Sequence, residues 1–294
     1  MAKAGGAKNP APERTAYGAG IYPIGHYYSP LPNIDEVLRD FPRLYPAIPP
    51  RELPGIALND AEQLEMLARI SPFMVEAPFG DHKQPGLRYY YQNNFFSYTD
   101  ALFLYGMMRH LQPRRIIEVG SGFSSTVMLD TNEHFLDNRT ELIFVEPYPD
   151  ALKRAINPTD RIELRQQRLQ DVDIALFDTL EANDILFIDS THVAKIGSDV
   201  NYYLFDVFPR LKPGVVIHIH DVYYPFEYPQ FCILKGMFWN ECYMLRAFLT
   251  HSTAYDIMLF SHYLALFHLA ALQALHPLCV KNIGGNLWLR KRRA

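Results

Sequence analysis

The sequence predicts an α/β protein: a Rossmann-like, doubly wound, mostly parallel sheet of seven strands behind an N-terminal helical and irregular cap. Three observations predict it. Short β-branched runs alternate with helix-length intervals after about residue 97, a glycine turn joins the first run to a helix, and two further strand-like runs lie near the C-terminal end.

The elements follow in order. Residues 1–20 are mostly Ala, Gly, Lys and Pro with no apolar centre, so they read as a flexible leader and not as a secretory signal. Residues 21–96 are rich in Pro and Tyr and form the cap segment. They hold one helical stretch at 59–70, where Asn59 or Asp60 can cap and Leu64, Leu67 and Ala68 repeat at helical spacing. Residues 97–294 form the Rossmann-like domain. A helix at 101–111 leads into strands at 116–119, 142–145, 162–164, 185–188 and 215–219, with helices at 126–135 and 200–208. A strand at 255–259 continues into a core-facing helix, and 286–289 reads as the last strand. The run 255–275 is broken by Asp256, Ser261, His262, His268 and Gln273, so it fails as a membrane span. Trp239, Met244, Leu245 and Phe248 read as the buried stripe of a long helix.

Composition bounds the function. The chain has 294 residues, with 28 Lys and Arg against 32 Asp and Glu, a net charge of −4. That balance argues against nucleic acid and membrane surfaces as partners and favours a small-molecule substrate. Self-association stays open. Only Cys232, Cys242 and Cys279 occur, with no CxxC pair, which argues against a disulfide framework and for a reducing, cytoplasmic setting. The basic tail Arg290-Lys291-Arg292-Arg293 reads as a solvated terminus.

The first strand runs into Glu118-Val119-Gly120-Ser121-Gly122-Phe123-Ser124-Ser125. Gly120 can make the tight turn, Gly122 lets a ligand approach the backbone, and the following helix offers free N–H donors. The third glycine of a dinucleotide fingerprint is replaced by Ser125. Glu118 would repel a pyrophosphate and attract the ammonium and sulfonium of S-adenosylmethionine. Glu146, at the end of the second strand, stands where an acid accepts hydrogen bonds from the two ribose hydroxyls of a nucleoside.

Together residues 116–125, Phe144-Val145-Glu146-Pro147, Asp184-Ile185-Leu186-Phe187-Ile188-Asp189 and Leu211-Lys212-Pro213-Gly214 resemble the class I S-adenosylmethionine-dependent methyltransferases. Asp189-Ser190-Thr191-His192, with Asp199 and then His220-Asp221, resembles their small-molecule group carrying an Asp-Gly-x-His element, with Ser190 in place of the glycine. The resemblance implies that Glu118, Gly120, Gly122, Ser124 and Ser125 hold the methionine part, Glu146 the ribose, and Gln170 or Asp171 the adenine. Asp189 lies beside them, and Asn94 and Ser97 could reach the cofactor carboxylate. It also implies that the last strand is antiparallel and pairs beside the strand at 255–259.

Methyl transfer to oxygen needs an aligned nucleophile, exclusion of water and a proton acceptor. Asp189, His192, His220 and Asp221 all fall at strand ends, so His192 or His220 can take the proton while Asp189 or Asp221 orients the ring. His218 shares a strand face with His220 and reads as a satisfied core histidine; Asp199 reads as complementing a helix N-terminus. Asp189, Asp221 and His192 are also candidate ligands for Mg²⁺, Mn²⁺ or Fe²⁺. The metal-dependent catechol-type relatives carry a third ligand where this chain has Val222, so a metal-free histidine base is the favoured reading. The aromatic runs at 89–98 and 223–229 read as packing of the cap, with an acceptor wall as the alternative.

The sequence thus points to O-methylation of a small molecule by in-line transfer. An NAD-dependent oxidoreductase on the same fold and a non-catalytic cofactor-binding protein are the rivals.

Overall fold

The computed structural model describes residues 21–292, and the expected leader 1–20 lies outside them. The chain divides into two compact units, Met1–Ala47 and Ile48–Ala294. The first holds helix α1 (Ile34–Leu44), whose N-cap Asn33 accepts hydrogen bonds from the N–H groups of Asp35 and Glu36. Both acids sit in the first turn and Arg43 in the last, matching the helix dipole.

The second unit carries the sheet. Helices α2 (Asp60–Val75) and α3 (Thr99–Leu111) precede β1 (Arg115–Val119), α4 (Phe123–Phe135), β2 (Glu141–Val145), α5 (Asp150–Ala155) and β3 (Ile162–Arg165). There follow β4 (Ile185–Ile188), α6 (Asp199–Tyr202), β5 (Val216–His220), α7 (Gln230–Leu234), α8 (Glu241–Leu249), β6 (Tyr255–Phe260), α9 (Ser261–Phe267), α10 (Leu269–Leu275) and β7 (Asn286–Lys291). The strand order is β3-β2-β1-β4-β5-β7-β6. Strands β1 to β5 run parallel, and β7 is antiparallel to both neighbours, as expected.

Alternation along the strands builds a core on each face. Ile117, Val119, Leu186, Ile188, Ile217 and Ile219 face one core, while Ile116, Phe144, Ile185, Phe187, Val216 and Trp288 face the other. The chain leaves the sheet in opposite directions from β1 and β4, so the carboxyl ends of these neighbours flank the crevice where doubly wound sheets bind ligands.

The structure alters several expected boundaries. Residues 48–96 belong to the sheet-bearing unit, so the boundary expected at 96/97 is replaced by one at 47/48. Close packing explains it: a side chain on Gly106 of α3 would come within 3.1 Å of both Ile70 and Met74 of α2. The buried Gln63 of α2 also accepts a hydrogen bond from the Phe260 N–H of β6 at 2.8 Å. Asn59 does precede α2, but in a left-handed conformation without capping it, and its amide donates to the Ile257 carbonyl instead. The helical run expected at 200–208 is α6 followed by a π turn at Tyr203–Val207. Trp239 lies ahead of α8 and not on its buried stripe. The three cysteines are free and buried. Among the described residues no helix is long and apolar enough to cross a membrane.

Candidate active site

The glycine turn is built by contact with the neighbouring strand. Gly120 has φ +85°, and a side chain there would place its Cβ 1.8 Å from the Asp189 carbonyl oxygen, so only glycine fits. Gly122 faces open space, with no atom within 4 Å of where a Cβ would stand. Glu146 holds the turn from the other side: its carboxylate accepts the Ser121 N–H at 3.0 Å and the Tyr148 N–H at 2.7 Å. An open glycine, an acid at the end of β2 and the N–H groups opening α4 form a cradle that fits a nucleoside.

Glu118 departs from its expected role. Its side chain is fully buried beneath the turn, with one oxygen receiving the Ser124 hydroxyl and the other the Ser125 hydroxyl at 2.6 Å. Ser125 in turn accepts the Gly122 N–H at 3.0 Å. Burial pushes the Glu118 carboxyl up to about 8, against the opposing effect of the two serine donors. It lies in the scaffold under the loop, with its oxygens turned to the two serines. Ser124 and Ser125 are likewise committed to Glu118, and the expected repulsion of a pyrophosphate by Glu118 loses its basis.

The other expected cofactor contacts divide. Gln170 reaches across to the Gly197 carbonyl at 2.7 Å and ties the loop after β3 to the loop after β4. Asp171 is exposed and held in a two-point pair by Arg168 at 2.7 and 2.8 Å. Asn94 lines the cavity described below. Ser97 is buried and accepts the Asn282 amide at 2.6 Å, an anchor for the 280–285 wall.

A cavity of about 980 Å³ opens over the ends of β4 and β5. Asp100, His192 and His220 form its buried parts, Asp189 and Asp221 are half-buried, and Tyr223, Phe231, Trp239 and Lys235 complete much of the wall. His192 Nε2 lies 3.5 Å from Asp189 and 3.7 Å from Asp221, while Nδ1 meets Glu241 at 2.9 Å. Both expected histidines and both expected aspartates are thus brought together. The residue holding the ring is Glu241, however, and not Asp189 or Asp221 as expected. It escaped the sequence reading because 49 residues separate it from His192, and a helix-initial glutamate carries no sign of its tertiary partner.

The electrostatics follow from these contacts. Burial alone would lower the His192 imidazolium, but Glu241, Asp189 and Asp221 outweigh it and raise the ring well above its ordinary value. His220 behaves alike: burial opposes its charge, and Asp189, Asp100 and Asp221 raise it. Burial would raise Asp189, yet His220 and His192 hold it below the usual carboxylate range. Asp100 is raised, chiefly by burial, and accepts the Asn286 amide at 2.7 Å.

His218 is a core residue but not a satisfied one. It stacks on Phe187 with ring centroids 3.9 Å apart, and neither ring nitrogen meets a hydrogen-bonding partner among the described residues. Burial keeps it neutral. Asp199 fastens the 190s loop by accepting the Thr191 hydroxyl at 2.6 Å, and the N-cap of α6 is Ser198. Among the described residues no group of three or more His, Cys, Asp or Glu side chains is arranged to hold a metal ion. The third position of the catechol-type set, Val222, is fully buried in the core. Tyr224 and Phe226 are core as well, whereas Tyr223 lines the cavity and donates to Asp221 at 2.8 Å.

Sheet order, the glycine turn and the strand-end cavity place an open crevice beside a side-chain-lined chamber in a doubly wound α/β protein. Residues 117–222 match the family model of a methyltransferase domain. Over 168 residues the chain is 40% identical to an uncharacterized protein of Archaeoglobus fulgidus, covering 56% of this chain and 76% of that one. Among solved structures, an O-methyltransferase from Streptomyces achromogenes involved in tomaymycin synthesis, in complex with SAM, is 16% identical with a TM-score of 0.45. It covers 78% of this chain and 90% of its own. A SAH-bound methyltransferase of Podospora anserina is 15% identical with a TM-score of 0.44, covering 78% and 88%. The chain therefore carries a methyltransferase domain over residues 117–222.

Proposed function

We propose that this methyltransferase transfers the methyl group of S-adenosylmethionine to a hydroxyl oxygen of a small molecule, with His192 as proton acceptor. One observation carries the reading: Asp189 is shared by the two halves of the site. Its carbonyl abuts Gly120 of the nucleoside cradle, and its carboxylate faces His192 Nε2 inside the cavity. A methyl donor in the cradle and an acceptor in the cavity would meet beside this residue.

The cofactor supplies a methyl carbon already made electrophilic by positive sulfur. Glu146 and the open side of Gly122 would hold its nucleoside. The aromatic wall of Phe231, Tyr223 and Trp239 would exclude water and align the acceptor. His192 Nε2 would take the hydroxyl proton as the oxygen forms its bond to carbon and the sulfur–carbon electron pair returns to sulfur. Carboxylates raise the His192 ring, so it gives up its own proton more readily once a cation lies beside Asp189, where two positive charges oppose each other. His220 is the second proton acceptor in reach of the same cavity. Three buried free thiols support a reducing, cytoplasmic setting.

Calorimetric titration of the purified protein with S-adenosylmethionine, S-adenosylhomocysteine and NAD, each with and without chelator, tests the cofactor. Binding of the two sulfur nucleosides at micromolar level, weakened in Glu146→Ala, supports the reading. Tight NAD binding with no response to either would overturn it. A screen of hydroxylated acceptors then tests turnover, and retained binding without methylation of any acceptor would favour a non-catalytic cofactor-binding protein.

A further inference from the structure

We propose that Glu241 is the positioning residue for His192, acting from the first turn of α8 with Tyr203 as its own anchor. This rests on His192 being the proton acceptor of the methyl transfer. Glu241 lies outside the stretch matched by the methyltransferase domain, so this part of the site comes from the C-terminal region of the chain.

The Glu241 carboxylate is fully buried, and both of its oxygens are engaged. The Tyr203 hydroxyl donates to Oε1, and His192 Nδ1 lies 2.9 Å from Oε2. A carboxylate can only accept, so Nδ1 carries the proton in this pair and Nε2 is the atom turned to the cavity, toward Asp189 and Asp221. A buried carboxylate is tolerated when its oxygens are hydrogen-bonded, and the Tyr203 hydroxyl and the His192 ring supply those bonds to Glu241.

The start of α8 also grips the backbone. The N–H groups of Asn240 and Glu241 both donate to the His192 carbonyl, at 3.1 and 3.2 Å. The Asn240 side chain brackets Ala194, accepting its N–H at 2.6 Å and donating to its carbonyl at 3.1 Å. His192 has φ +58°, a conformation that a non-glycine residue holds when its surroundings over-determine it. The Trp239 ring, 4.6 Å from the imidazole, closes one side. Tyr203, at the start of the π turn, is itself fully buried. Backbone, side chain and ring contacts therefore converge on one imidazole orientation.

The test uses the full chain carrying ¹⁵N-labelled histidine, with Glu241→Gln, Tyr203→Phe and His192→Gln variants. In wild type the His192 Nδ1–H proton should give a downfield, slowly exchanging signal that is absent from His192→Gln. It should move upfield and exchange about 10-fold faster in Glu241→Gln, as a charge-assisted hydrogen bond is replaced by a neutral one. Tyr203→Phe should fall between. On the acceptor found by the screen above, Glu241→Gln should lower kcat by about 10- to 100-fold with KM within about twofold, a share of the effect expected for a general base. S-adenosylhomocysteine affinity should stay unchanged. An unmoved ring signal in Glu241→Gln, or unchanged kcat, overturns the positioning role. If His192→Gln keeps wild-type turnover, the reading of His192 itself falls, and the two failures are told apart.

Discussion

The carbonyl oxygen of Asp189 occupies the space that a side chain on Gly120 would need, 1.8 Å from the position of its Cβ. The end of β4 and the turn after β1 are therefore packed backbone to backbone. Gly120→Ala must push them apart and also hold φ near +85°, a region alanine avoids. We expect a loss of at least about 2 kcal/mol in unfolding free energy, from overpacking and backbone strain together. Chemical denaturation measures the first effect. Calorimetry with S-adenosylhomocysteine should show binding lost even at temperatures where the variant is folded.

Activity should rise with pH. His192 must be neutral to accept a proton, and its neighbours raise the ring above its ordinary value, so the deprotonation that activates it lies above pH 6.5. A profile of kcat/KM is expected to show an ascending limb with an apparent midpoint above that value. His192→Gln should remove the limb and lower the rate by about 10²- to 10⁴-fold, the usual weight of a general base. A flat profile in wild type would count against histidine as the acceptor.

Glu118 predicts a pH-dependent stability difference. Its folded-state value of about 8 lies above that of the free side chain, so the unfolded chain releases the proton first. Stability associated with this group is fully present below about pH 4.5 and is lost as pH rises toward 8, at up to about 1.4 kcal/mol per pH unit. Glu118→Gln removes the titration while keeping the shape. The variant should match wild type near pH 4.5 and become progressively more stable relative to it as pH rises toward 8, the difference levelling off above that, as read from thermal unfolding across the range. A constant difference between the two proteins would refute the buried, protonated state.

Two aromatic residues should separate packing from substrate contact. Tyr224 is buried against Phe260, Tyr263 and Phe267, and its hydroxyl donates to the Pro50 carbonyl at 2.7 Å. Tyr224→Ala is expected to cost about 3–5 kcal/mol, as for other large buried aromatics. Phe231 is exposed on the cavity wall, so Phe231→Ala should raise an acceptor's KM while leaving Tm nearly unchanged. The reverse pattern would exchange their roles.

Much of this fold was legible because local chemistry and tertiary fate agree along β1 to β5. Ile116, Ile143, Leu186 and Ile217 are apolar because both faces of a parallel strand are covered, and the same property marks them in the sequence. The cradle was legible at Gly120, where backbone shape demands one residue type, and at Glu146, which ends a strand. The placement of Glu118 under the loop was not legible because spacing puts a residue at a strand end without saying which way its side chain turns. Two serines within reach decided it. Glu241, Tyr203 and Trp239 stayed hidden because their roles arise only when α8 folds back over the loop after β4. Asn59 shows the same limit in reverse, being a capping residue type whose side chain is drawn to the Ile257 carbonyl instead.

The glycine cradle and the cavity, which the proposed function assigns to methyl donor and acceptor, are encoded differently along the chain. The cradle is contained in one contiguous stretch, residues 118–146, whereas the chamber wall is gathered from Phe95, Phe231, Trp239 and the 280–285 loop. Substitutions in the dispersed set can reshape the chamber without passing through the glycine turn. On the proposed function, acceptor preference would be free to diverge while the methyl donor stayed fixed. Chimeras that exchange residues 225–237 between relatives leave Trp239, Asn240 and Glu241 in place against His192 and test whether acceptor preference changes while S-adenosylhomocysteine affinity does not.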